Sequence, residues 1–194
     1  EDPLRTHLPY WPYPVDLCLT GEVESSLGLL LERLRARIGK KDPVRAKRAE
    51  RWHERHRERK RAWREEVLAL KGRKPIDTRW VAYELNQVLP SDAIVVEETI
   101  THRLAIQRYL DNVKAGSFFS GSYGGLGTGL GTALGVKVAA PGRPVLMLIG
   151  DGSFNYNPVL AALGCAQEHG LPMLIVLFNN HGYLSQKAGL PKYY

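Results

Sequence analysis

Short runs of consecutive apolar residues alternate along this chain with stretches where apolar residues return every three or four positions. The first pattern suits a strand buried on both faces, the second an amphipathic helix. From residue 77 onward the two alternate. Asp77–Leu89 reads as a helix with Val81, Leu85 and Val88 on one side, and Ala93–Val96 as a buried strand. Thr101–Leu110 follows as a helix and Ser117–Ser120 as a short strand. Then come a small-residue helix, Leu126–Ala139, a strand, Val145–Ile149, a helix, Pro158–His169, and a strand, Met173–Phe178. This order predicts an α/β fold, a parallel sheet with helices on both faces. Ligands of such sheets bind at the carboxyl ends of the strands. Upstream, Val15–Leu19, a turn at Thr20–Glu22 and Ser25–Ile38 read as strand, turn and amphipathic helix, the tail of another α/β domain. Val44–Leu70 is a long charged helix whose apolar stripe runs through Ala46, Ala49, Trp52, His56, Lys60, Trp63, Val67 and Leu70.

Composition adds little except in one window. The 194 residues are 44% hydrophobic and 24% charged, an ordinary globular balance that excludes a wholly disordered or fibrous chain. The longest apolar runs are too short to span a bilayer, so no membrane partner is expected. Cys18 and Cys165 lie far apart without metal-like spacing, which points to a reducing compartment, the cytoplasm. The net charge of +7 is concentrated: residues 33–74 hold 18 of the 27 Lys and Arg and 6 of the 20 acids. That window is a solvated linker helix or, on a second reading, a surface for nucleic acid or an acidic partner using Arg with Trp52 and Trp63. The domains expected are 1–38, the end of a middle domain; 39–74, a basic helical linker; and 75–194, a ligand-binding domain incomplete at its C-terminus. The opening Glu1-Asp2-Pro3 and the closing Tyr193-Tyr194 suggest an excerpt of a longer polypeptide or a processed piece.

Three polar clusters follow predicted strand ends: Glu97–Thr101, Gly150–Ser153 and Asn179–Tyr183. A glycine-rich stretch, Gly121–Gly131, precedes a helix. Glycines let backbone N–H groups approach an anion, and a helix N-terminus favours negative charge. Asp151 and Asn180 supply one anionic and one neutral oxygen, a set that suits Mg²⁺ shared with a phosphate. Each element alone is more often a turn or close helix packing; together at strand ends they form a site. Strict G-x-G-x-x-G, G-x-x-x-x-G-K-[ST] and G-x-S-x-G motifs do not occur, which removes support for a nicotinamide dehydrogenase, a P-loop ATPase or a serine hydrolase.

Gly150-Asp151-Gly152, followed after 26 residues by Asn179-Asn180, resembles the thiamine diphosphate signature. The stretch GGLGTGLGTALGVKVAAPGRPVLMLIGDGSFNY resembles the pyrophosphate-binding domain of the benzoylformate decarboxylase and acetolactate synthase superfamily. The resemblance implies thiamine diphosphate and Mg²⁺ as cofactors and a 2-oxo acid as substrate, decarboxylated or carboligated. It implies Asp151, Asn180 and the Gly182 carbonyl as metal ligands, with Thr101, Gly152, Ser153 and Tyr183 around the diphosphate. Gly124 would accept from the cofactor's 4′-amino group, and Leu126 would wedge beneath the bent cofactor. Ile100 stands where the family sometimes has a hydroxyl, and Glu97 and Glu98 fall on the diphosphate side. The glutamate that activates the pyrimidine lies in the family's amino-terminal domain, so a homo-oligomer (dimer or tetramer) or a partner chain is expected. Substrate acid–base groups are unassigned. His181 is the nearest histidine, a candidate acid or base against the plainer alternative of a loop residue facing solvent. Tyr123 and Tyr183 have the same standing. His53, His56, His102 and His169 read as helix-surface residues.

Overall fold

The structure is a computed structural model that describes residues 16–17, 19, 21–38, 42–111, 114–121 and 125–192. The strand expected at Val15–Leu19 falls largely outside them, as do Cys18, Tyr123 and Gly124. The chain divides into two compact units, residues 1–61 and 62–194.

The first unit contains helix α1 (Val23–Arg37) and most of helix α2 (Pro43–Leu68). Glu22 caps α1 by accepting from the backbone N–H groups of Glu24 and Ser25 at 3.0 and 2.7 Å. Leu27, Leu29, Leu30, Leu31 and Leu34, expected to pack one face, are all exposed. The stripe expected along α2 is likewise not buried here: Ala46, Ala49, Trp52 and His56 are exposed. Local contacts decorate the helix surface instead. Glu54 pairs with Arg57, and the Arg55 guanidinium sits 5.2 Å from the Trp52 ring centroid.

In the second unit, α2 ends with Val67 fully buried. Helix α3 (Thr78–Val88), strand β1 (Ile94–Glu98), helix α4 (Arg103–Tyr109) and strand β2 (Phe118–Ser120) follow. Next come helix α5 (Gly129–Ala139), strand β3 (Val145–Gly150), short helix α6 (Asp151–Tyr156) and helix α7 (Val159–Glu168). Strand β4 (Leu174–Phe178), helix α8 (Leu184–Gly189) and a 3-10 turn at Leu190–Lys192 complete it. All three strand pairs are parallel, in the order β2-β1-β3-β4. No helix of the described residues is long and apolar enough to cross a membrane.

Alternation along the central strands divides the core. Val95, Leu146 and Leu148 pack with Ile106, Tyr109, Leu110, Ala82 and Val67 on one side. Val96, Val145, Met147 and Ile149 pack with Leu130, Ala133 and Ala162 on the other. Each fully buried aliphatic side chain contributes about 1.5–3 kcal/mol by leaving water, so β1 and β3 anchor everything their ends carry. β4 has β3 as its neighbour, and its Leu174 and Leu177 remain exposed among the described residues, unlike the covered strand expected. Lys137 is buried near the end of α5 because its ammonium donates to the Pro141 and Arg143 carbonyls at 2.8 and 2.9 Å.

Candidate functional site

β1, β3 and β4 deliver their carboxyl ends to one cavity of about 230 Å³. Its walls combine Ile100, Thr101 and His102 after β1 with Gly150 to Ser153 at the β3–α6 junction. Asn180 and Gly182 to Gln186 close it after β4, with Leu126 from the glycine-rich loop. Thr101, Leu126, Asp151, Gly152, Ser153, Asn180, Gly182 and Tyr183 are thus brought together around one space. Ser153 is buried and Leu126 half-buried, while Thr101 and Ile100 are exposed at the rim. His181 is exposed and is not among the residues lining the cavity.

Asp151 joins two of the strand ends. Its Oδ1 accepts from the Gly152 N–H and its Oδ2 from the Gly182 N–H, both at 2.9 Å. The loop reaches that position through left-handed backbone at His181 (φ 60°) and Gly182 (φ 138°). Asn179 supports the turn by accepting from the His181 N–H at 2.9 Å. The Gly182 carbonyl accepts from the Leu184 N–H at 3.0 Å and keeps its second lone pair. Asn180 Oδ1 is buried and, among the described residues, has no hydrogen-bond partner. A buried acceptor left unpaired is costly, and here it lies on the loop tied to a carboxylate. The oxygens of Asp151, Asn180 and Gly182 are the hard donor types that Mg²⁺ takes. Among the described residues, no group of three or more His, Cys, Asp or Glu could hold a metal ion, so this mixed set is the candidate. A Cβ at Gly152 would stand 2.9 Å from the Tyr183 ring, so a side chain there would push that ring aside.

The glycine-rich stretch works differently from the expectation. The N–H groups of Gly127, Thr128 and Gly129 all point at Glu98, at 2.6, 3.2 and 2.9 Å. Asn157 donates to the same carboxylate at 2.9 Å and accepts the Leu130 N–H at 2.9 Å. The anion at the start of α5 is therefore the chain's own. Gly129 must lack a side chain because a Cβ would come 2.5 Å from Glu98 Oε2. Glu97 is also consumed internally. It accepts from Thr99, from Arg103 Nε at 3.0 Å and from the Ser120 hydroxyl at 2.7 Å. Neither glutamate lines the cavity.

His102 is the residue that sequence reasoning passed over. It is half-buried at the start of α4, not on the helix surface. Its Nδ1 lies 2.9 Å from the Thr78 hydroxyl, its Nε2 lies 3.4 Å from Asn180 Nδ2, and its ring packs 5.4 Å from that of Phe178. Burial lowers its pKa from the ordinary histidine value, against the opposing pull of Asp151 and Asp77. The signal was its position directly after Thr101, at a strand end where the polar cluster had been noted.

Comparison with known proteins agrees with this geometry. The family model described as the thiamine pyrophosphate enzyme C-terminal TPP binding domain matches residues 100–191. Benzoylformate decarboxylase of Pseudomonas aeruginosa is 34% identical over 109 residues, 56% of this chain and 20% of that protein. The acetolactate synthase large subunit of Parasynechococcus marenigrum is 31% identical over 129 residues, 62% of this chain and 20% of that protein. The solved thiamine diphosphate-dependent 4-hydroxybenzoylformate decarboxylase of Rhodococcus jostii RHA1 superposes with a TM-score of 0.57 at 33% identity, covering 61% of this chain and 23% of that one. The chain spans about a fifth of the length of these curated relatives. The strand ends, the Asp151–Gly182 link and these matches point the same way: residues 100–191 match the C-terminal TPP binding domain of the thiamine pyrophosphate enzymes.

Proposed function

We propose that the protein containing this chain is a thiamine diphosphate and Mg²⁺ dependent enzyme acting on a 2-oxo acid, as a decarboxylase of the benzoylformate type. The observation that carries the reading is the buried, unpartnered Asn180 Oδ1 on the loop tied to the Asp151 carboxylate. Asp151, Asn180 and the Gly182 carbonyl would hold the cation, leaving its remaining positions to the diphosphate. Thr101, Gly152, Ser153 and Tyr183 line the same cavity and would contact the diphosphate, with Leu126 against the body of the cofactor. When bound, thiamine diphosphate supplies the electron sink that decarboxylation of a 2-oxo acid needs. This chain's contribution is to bind the charged end and fix its orientation, with Leu126 and Leu184 as apolar parts of the cavity wall. Because the pyrimidine-activating glutamate of this family belongs to another domain, the working site would form with a neighbouring subunit or a partner chain. Acetolactate synthase-type carboligation is the second reading, supported by the acetolactate synthase relative at 31% identity.

Calorimetric titration of thiamine diphosphate into the intact protein, with and without Mg²⁺, tests the proposal. Binding is expected only with Mg²⁺ and is expected to vanish in Asp151→Ala. Unchanged Mg²⁺-dependent binding in that variant would overturn it. Product analysis after feeding benzoylformate and pyruvate separates the readings: benzaldehyde marks the decarboxylase, acetolactate the ligase.

A further inference from the structure

Asn180 has an amide with two different ends, and a metal site needs a particular one. The oxygen must face the cation while the NH₂ group faces protein. Among the described residues, His102 is the side chain that meets the NH₂ end, through Nε2 at 3.4 Å. A nitrogen that receives an N–H must be bare. The single proton of a neutral imidazole is then on Nδ1, which faces the Thr78 hydroxyl at 2.9 Å. The hydroxyl accepts that proton as readily as it could donate, so the arrangement is consistent throughout: Thr78 Oγ1 accepts from His102 Nδ1–H, and His102 Nε2 accepts from Asn180 Nδ2–H. The far end of this chain of bonds is Asn180 Oδ1, buried and without a partner. The imidazole is itself held in place by the Phe178 ring, 5.4 Å away at the end of β4.

We infer that His102, locked by Thr78, is a positioning residue that turns the Asn180 amide so that its oxygen faces the cation. This rests on the cofactor reading above. The logic is that of groups outside the ligand set which orient a metal ligand, whose loss typically costs about 10–100-fold in metal affinity. An unrestrained amide would spend part of its time with the NH₂ group toward the site.

The test uses Mn²⁺ as a paramagnetic stand-in for Mg²⁺, with free Mn²⁺ counted by electron paramagnetic resonance in the intact protein plus thiamine diphosphate. His102→Leu is expected to weaken Mn²⁺ binding by about tenfold or more. His102→Gln, whose amide can both accept from Asn180 and donate to Thr78, is expected to recover most of the loss. Thr78→Val is expected to weaken binding in the same direction, and to add little on top of His102→Leu, because both act through one chain of bonds. Long-range ¹H–¹⁵N spectra of histidine-labelled protein should show Nδ1 protonated and Nε2 bare. Wild-type affinity in a folded His102→Leu, no recovery with Gln, or a proton on Nε2 would each overturn the positioning role. Absence of Mn²⁺ binding by the wild type would instead overturn the cofactor reading and this inference with it. Loss of binding in Asn180→Ala beside full affinity in His102→Leu would overturn this inference alone.

Discussion

At the scale of single residues, the most consequential group is one that touches no ligand. Glu98 accepts from three backbone N–H groups at the start of α5 and from the Asn157 amide. Glu98→Ala leaves four buried or half-buried donors without that carboxylate. Unpaired donors of this kind cost about 1–3 kcal/mol each before relaxation. We expect a loss of at least about 3 kcal/mol, seen by thermal unfolding as a drop of roughly 10 °C. Asp77 offers a pH-dependent counterpart. Its hydrogen bond to the Arg79 side chain holds its carboxyl at about 2, below the ordinary 3.8, while its side chain also caps α3. A carboxylate held low in the folded state stabilises above its unfolded pKa and loses that contribution as pH falls toward the folded one. Asn also caps helices well, so Asp77→Asn isolates the charge. The stability gap between wild type and Asp77→Asn should be constant above about pH 5 and close as pH falls from about 4 toward 2, measured by urea unfolding across that range.

At the scale of elements, legibility in the sequence followed what each boundary depends on. β1 and β3 were readable from uninterrupted apolar runs, because both faces of each are buried. Yet β1 continues through Glu97 and Glu98, which polarity alone argues against. Glu97 takes hydrogen bonds from Thr99 and Arg103 close by, but Ser120, the glycine loop and Asn157, which serve the two carboxylates as well, are distant in sequence. The start of α5 moves from the expected Leu126 to Gly129, since Gly127 takes φ 99° and cannot be helical. α6 was hidden within a Gly-Asp-Gly that resembles a turn, and six residues are too few to show a period. α2 shows the reverse failure, a pattern without the packing. Its Trp63 is half-buried against the core, with Arg108 4.9 Å above the ring, whereas Trp52 is 54% exposed. Trp63→Ala should cost about 2–3 kcal/mol and Trp52→Ala less than about 0.5 kcal/mol, by chemical denaturation of the two variants side by side.

At the scale of the molecule, the gathering of the motif residues around one cavity was legible in the sequence because they sit at strand ends, and a parallel sheet brings its carboxyl ends to one edge. What could not be read was the division of labour among the polar groups there. Glu97, Glu98 and the glycine N–H groups build the frame, Asp151 ties it together, and Asn180 is left with an oxygen to spare. Burial is equally uneven: among the described residues the core belongs to the second unit, and none of residues 16–61 is buried. β4 reads Leu-Ile-Val-Leu-Phe, without charge, proline or glycine, and borders only β3 among the described residues. A strand of this kind with its outer hydrogen-bonding groups unclaimed is a template for another strand. Isolated chains should therefore stick to one another, increasingly so with concentration. A lysine in place of Leu177, which is 44% exposed, should keep them apart in light scattering while leaving the fold intact.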